Sequence, residues 1–150
     1  MSQSLSKILL HAVFSTKNRA PSIRPEIEPR LYAYMAGILE NLESHAIRIG
    51  GVADHVHVLF RLSKNRSVSE VLGTLKTNSS SWMKEQGRIH AGFHWQNGYG
   101  NFSIGESAID GVVQYIDNQK ERHKTMTFEE ELKRLLDLYH MEYDERYLWD

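Results

Sequence analysis

The stretch "HAIRIGGVADHVHVLFRL", residues 45–62, decides the fold. It reads as two β-strands, HAIRIGGVA (45–53) and HVHVLFRL (55–62), separated by little but the bend that Gly50 and Gly51 permit. Successive side chains on a strand point to opposite faces, so Val56, Val58 and Phe60 form one apolar face that reads as core. His55, His57 and Leu59 share the other. The two imidazoles then start from Cα atoms roughly 6.6–7 Å apart, close enough for both rings to lean onto one ion. Spacing alone leaves two readings open: ligands of a metal, or histidines at the edge of a half-buried strand. Asp54 is either a turn residue at the strand's entry or the carboxylate that accepts the far N–H of a ligating imidazole.

Outward from this pair, LSKILLHAVFS (5–15) predicts a strand. The proline-rich APSIRPEIEP leads into a helix over 26–44, with Ile27, Leu31, Met35, Ile38 and Leu42 at helical spacing. A second helix is expected over 68–86, capped by Ser67 and striped by Val68, Val71, Leu72, Leu75 and Trp82. FHWQNGYGNFSI (93–104) fits a strand with a bend or bulge, and helices from Ser107 to about Arg122 and from Phe128 to Tyr139 complete the chain. The order β-α-β-β-α-β predicts an α+β fold: a ferredoxin-like antiparallel sheet with additional C-terminal helices, in a single domain spanning 1–150.

The composition narrows the chemistry. With no cysteine, disulfides, thiolate nucleophiles and cysteine-based zinc sites are excluded, so any metal must sit on histidine, carboxylate or amide oxygen. There is no apolar run of membrane-spanning length, and Lys7 and His11 interrupt what a signal peptide would need, so a cytoplasmic protein is expected. The net charge of -1 hides an asymmetry: residues 1–90 carry +5 and residues 91–150 carry -6. The front of the chain is thus able to meet a polyanion, while the acidic excess fits a C-terminal helix with a solvated face.

In the helix SAIDGVVQYIDNQKERHK, residues Ala108, Val112, Tyr115, Ile116 and Gln119 recur every three or four positions, which puts Tyr115 and Gln119 on one side, a turn apart. Were that side to lie against the histidine strand, Gln119 Oε1 would complete a two-histidine, one-amide site beside a tyrosine. Periodicity equally allows a core-edge Tyr115 and a solvent-exposed Gln119.

The segments HAVFSTKNR, GGVADHVHVLF, LKTNSSSWM, FHWQNGYGNFSI, VVQYIDNQKERHK and YDERYLW resemble, in order and across nearly the whole chain, the single-tyrosine HUH transposases of small bacterial and archaeal insertion sequences. The resemblance implies that His55 and His57 ligate a divalent metal with Gln119 as third ligand. It also implies that Tyr115, carried on a C-terminal helix, attacks single-stranded DNA to leave a 5′-phosphotyrosine and a free 3′-hydroxyl. It implies imperfect DNA hairpins as partners, a homodimer, and no nucleotide cofactor, in keeping with the lack of a GxxxxGK[ST] loop. A phenol is a weak nucleophile at neutral pH, so an ion that polarises the phosphate suits the chemistry, and open positions filled by oxygen favour Mg²⁺ or Mn²⁺. Lys17, Arg19, Arg61, Lys64 and Lys76 are candidate phosphate contacts, and Trp95 and Tyr99 candidate stacking platforms. Where family members often carry a histidine pair after the glutamine, this chain has Arg122 and His123, which leaves His123 as a DNA contact, a reserve ligand or a helix cap. Competing expectations are a domesticated hairpin binder that no longer cleaves, and an HUH relaxase or replication initiator, whose chains are usually larger. A histidine-triad hydrolase is excluded because Leu59 stands where its nucleophile would be.

Overall fold

The computed structural model describes residues 2–150. Strands β1 (Ile8–Ser15), β2 (Ala46–Val52), β3 (His55–Leu62) and β4 (Gly100–Ile104) form one sheet in the order β2-β3-β1-β4. Every pairing is antiparallel. Helix α1 (Glu28–Asn41) joins β1 to β2 and α2 (Val68–Lys84) joins β3 to β4, which is the expected ferredoxin-like arrangement. Three helices follow: α3 (Ile109–Asp117), α4 (Gln119–Arg122) and α5 (Phe128–Leu138).

Local chemistry explains the helix boundaries. Proline sits in the first turn of α1, where its missing N–H costs nothing. Ser67 caps α2 by accepting from Glu70 N, and Thr127 caps α5 by accepting from Glu130 N.

Register divides the sheet into two faces. On one, Leu10, Ala12, Phe14, Val56, Val58 and Phe60 pack with Leu31, Met35, Leu39, Val71, Leu72 and Leu75 of α1 and α2. The other carries His11, Val13 and Ser15 of β1 opposite Leu59, His57 and His55 of β3, with Gly50 of β2 opposite His57. Helices α3, α4 and α5 cover this second face: Val13 and Phe102 meet Phe128, Leu132 and Leu136 of α5. Both faces of β3 are therefore buried, and the split between a histidine face and an apolar face follows the sequence reading.

Three boundaries differ from that reading. The β2–β3 turn falls at Ala53 and Asp54, not at Gly50 and Gly51, which lie inside β2. Both glycines answer a close approach: a Cβ on Gly50 would lie 2.8 Å from Ile116 Cγ2 of α3, and one on Gly51 would lie 2.2 Å from His55 O. The aromatic segment 93–104 is a strand only from Gly100, although Thr16 and Trp95 form an isolated bridge. The expected single helix over 107–122 opens with a 3₁₀ turn at Glu106–Ala108 and breaks at Asn118 (φ −94°, ψ 12°). Asp117 and Asn118 are poor helix formers, and the break starts a new short helix at Gln119.

Candidate active site

His55 and His57 are fully buried, each held by a partner on one ring nitrogen. Asp54 Oδ1 accepts from His55 Nδ1 at 2.7 Å, which leaves Nε2 facing inward. His57 Nδ1 lies 2.8 Å from Nε2 of the buried His11, and His57 Nε2 faces inward too. Burial and the neighbouring His57 push the His11 pKa down to about 3, so this ring stays neutral and makes a single N–H available.

Both α3 and α4 reach this point, on either side of the break at Asn118. Gln119 is 1% exposed; its Nε2 donates to Glu131 Oε2 at 2.8 Å, which orients Oε1 toward His55 Nε2 at 2.9 Å. Tyr115 is half-buried, with its ring centroid 5.6 Å from that of His57 and its hydroxyl donating to Glu131 Oε2. Absence of a side chain at Gly50 allows the approach, because Ile116, next to Tyr115, rests directly on it.

At the centre stands Glu131 of α5, 1% exposed, a residue the sequence reading did not single out. Its Oε1 accepts from His57 Nε2 at 3.1 Å and His123 Nε2 at 2.9 Å, and lies 3.2 Å from His55 Nε2. Burial works against the charged carboxylate, but hydrogen bonds from His123, His55 and His57 outweigh it and hold the group far below the usual carboxylate range. Burial and the Glu131 charge push the Tyr115 phenol up, so it is protonated at neutral pH.

Counting protons tests whether these residues suit a metal ion. His55 gives its Nδ1 proton to Asp54, while its Nε2 faces two acceptors, Gln119 Oε1 and Glu131 Oε1. A neutral imidazole would meet them lone pair to lone pair, so the geometry demands a positive charge there. Without an ion the demand falls on the ring itself: burial lowers the His55 pKa, but hydrogen bonds to Asp54 and Glu131 prevail and raise it to about 9. A divalent cation meets the same demand. Among the described residues, nitrogen and oxygen donors of His55, His57 and Glu131 lie within 4.8 Å of one another. Imidazole nitrogen with carboxylate and amide oxygen is a donor set for a divalent metal.

Of the other candidate DNA contacts, His123 alone reaches this centre; its Nδ1 donates to Met126 O at 2.7 Å. Arg19 pairs with Glu129 at 3.2 Å and covers the Trp149 ring, while Lys17 is exposed just past β1. Arg61 and Lys64 lie at the far end of β3 and tie down the backbone of Ser6 and Ser4. Lys76 donates to the carbonyls of Asn97 and Gly98. Trp95 is a core residue, 6% exposed and hydrogen-bonded to Ser79, whereas Tyr99 is exposed.

A sequence signal for Glu131 existed. It falls on the stripe Phe128, Glu131, Leu132, Leu135 of α5, so a carboxylate occupies an apolar face. His11 gave a weaker one, a lone imidazole inside an apolar strand.

Comparison with known proteins adds an independent finding. The family described as "Transposase IS200 like" matches residues 4–119, a span that includes His55, His57, Tyr115 and Gln119 and ends before α5. A candidate transposase from Deinococcus radiodurans R1, solved by crystallography, superimposes with a TM-score of 0.62 at 20% identity, covering 79% of this chain and 98% of its own. A REP-associated tyrosine transposase bound to a REP hairpin superimposes with a TM-score of 0.60 at 13% identity, covering 82% of this chain and 74% of its own. No curated protein matches the chain.

Proposed function

The chain belongs to the family of IS200-like transposases, and from that premise we propose that it cleaves and rejoins single-stranded DNA at hairpin-flanked ends through a 5′-phosphotyrosine on Tyr115. The observation that carries this reading is the convergence, within one chain, of Tyr115, His55, His57 and Gln119 around one buried carboxylate.

His55 Nε2, His57 Nε2, Gln119 Oε1 and Glu131 Oε1 would hold a divalent ion, Mg²⁺ or Mn²⁺, with Asp54 and His11 fixing the ring orientations. When bound, the ion withdraws charge from the phosphate oxygens and makes phosphorus more electrophilic. Two imidazoles and an amide would leave that ion its full double charge; Glu131 offsets part of it.

Tyr115 supplies the nucleophile. Its hydroxyl already donates to Glu131, which aims the oxygen, and water takes the phenolic proton as the Oη–P bond forms. The P–O3′ bond breaks, the electron pair stays on the 3′ oxygen, and water supplies its proton. In the reverse step a 3′-hydroxyl attacks the phosphotyrosine and gives its proton to water as the P–Oη bond breaks, and Tyr115 regains a proton from water. The bond energy is conserved, so no nucleotide cofactor is needed.

Imperfect DNA hairpins remain the proposed partner, and the hairpin-bound structural neighbour supports a hairpin there. Lys17, Arg19, Arg61, Lys64, Lys76 and His123 stay in this proposal as phosphate contacts, the whole of 1–150 as one domain, and the protein as a cytoplasmic homodimer. No helix among the described residues is long and apolar enough to cross a membrane.

The test is a denaturing gel of the protein with end-labelled single strands from the DNA flanking its own gene, in Mn²⁺ or EDTA. A covalent adduct that requires Mn²⁺ and disappears in Tyr115→Phe is the expected result. Binding without an adduct on either strand would replace this reading with a non-cleaving hairpin binder.

A further inference from the structure

Arg122, the last residue of α4, lays its guanidinium over the Tyr115 ring with Cζ 4.4 Å from the centroid. Its Nε is buried and has no hydrogen-bond partner. The nearest carboxylate oxygen, Glu131 Oε2, stands 4.0 Å away and already accepts from Tyr115 and Gln119. Other arginines of the chain are better matched: Arg19 to Glu129, Arg48 to Asp117, Arg66 to Glu70. The Nε is sealed, but the exposed part of the guanidinium makes no hydrogen bond to the described residues either, and it stands beside the nucleophile open to an acceptor from outside.

The space for one is present. The Arg122 side chain is 32% exposed and borders a cavity of about 560 Å³ lined by Gly111, Gln114, Tyr115, Asp117, Asn118 and Arg122. Two amide side chains add donors, and the one carboxylate, Asp117, has its charge offset by Arg48 at 3.4 Å. A recess with a free guanidinium, two amides and a matched acid suits an anion, and a planar guanidinium matches the oxygens of a phosphodiester.

The geometry points to Arg122 as the group that binds the non-bridging oxygens of the phosphodiester attacked by Tyr115, entering through this cavity; this rests on the reading of Tyr115 as nucleophile. As Tyr115 Oη bonds to phosphorus and the P–O3′ bond lengthens, negative charge grows on those oxygens, and a fixed guanidinium stabilises it more than it stabilises the ground state.

The experiment compares single-turnover adduct formation by wild type, Arg122→Lys and Arg122→Met, at saturating end-labelled strand from the flanking DNA, with Mn²⁺ titrated in parallel. Methionine keeps a flexible side chain over the tyrosine ring and removes the charge; lysine keeps the charge and loses the fork. Expected is a loss of about 100-fold or more in rate for Arg122→Met, at least tenfold of it recovered by Arg122→Lys, and an unchanged Mn²⁺ midpoint in both. A methionine variant within threefold of wild type overturns the assignment. So do equal losses in the two variants, or a displaced Mn²⁺ midpoint, because either would make Arg122 a prop for the ring or the metal. Wild type that forms no adduct on any flanking strand overturns the nucleophile reading itself, and this proposal with it.

Discussion

Replacing Glu131 by glutamine keeps the shape of the side chain and removes the charge that His55, His57, His123, Tyr115 and Gln119 all face. Isothermal titration with Mn²⁺ is expected to show affinity reduced at least tenfold, with adduct yield falling as well; unchanged affinity would place the ion elsewhere. His11 offers a second test at this scale, made on the metal-free protein in chelator. Its pKa is about 3 when folded and about 6.5 when unfolded, so as pH falls through 6.5 the unfolded chain takes the proton first. Stability is therefore lost between pH 6.5 and 3, by at most about 1.4 kcal/mol per pH unit from this group. Urea unfolding of His11→Gln at pH 6, 5 and 4 should show a shallower slope than wild type, and equal slopes would assign the acid sensitivity to other groups. The histidine pair was legible because strand periodicity is local. Glu131 was not, because TFEEE reads as the acidic first turn of a solvated helix until the depth of α5 against Val13 and Phe102 is known. Its place on the apolar stripe was the clue.

Elements were legible in kind and order, but their ends depended on contacts no local pattern reveals. Gly50 and Gly51 look like a turn; they lie within β2 because Ile116 and the His55 carbonyl crowd the two positions where a Cβ would be. Gly50→Val is accordingly expected to displace α3 and destabilise the fold by about 1–3 kcal/mol. The same variant should slow adduct formation more than it weakens binding of a DNA hairpin. A melting temperature and adduct rate equal to wild type would mean that α3 is not docked through this glycine. The break at Asn118 was likewise hidden, since the apolar spacing continues through it. Across it, Tyr115 of α3 and Gln119 of α4 still meet the same carboxylate. Phe128→Ala tests α5: the ring is 1% exposed and stacks near His55 at 4.7 Å, so about 3–5 kcal/mol of stability should be lost, read by denaturant unfolding.

For the molecule as a whole, the strand order followed from the β-α-β-β-α-β sequence, because antiparallel pairing and short connections leave few other solutions. Which helices cover the histidine face did not follow, since it depends on how the last forty residues fold back over β1 and β3. Sedimentation should give about 35 kDa, twice the 17.4 kDa chain, and a monomer at micromolar concentration would argue against the proposed dimer. The complete sealing of the two histidines has a kinetic consequence. An ion reaches nitrogens with no exposed surface only when the groups that cover them move aside. Manganese uptake by the metal-free protein should then proceed at a rate that becomes independent of manganese concentration, set by how often the cover opens. Stopped-flow mixing would measure that opening frequency directly, as the rate at which the histidine nitrogens become accessible.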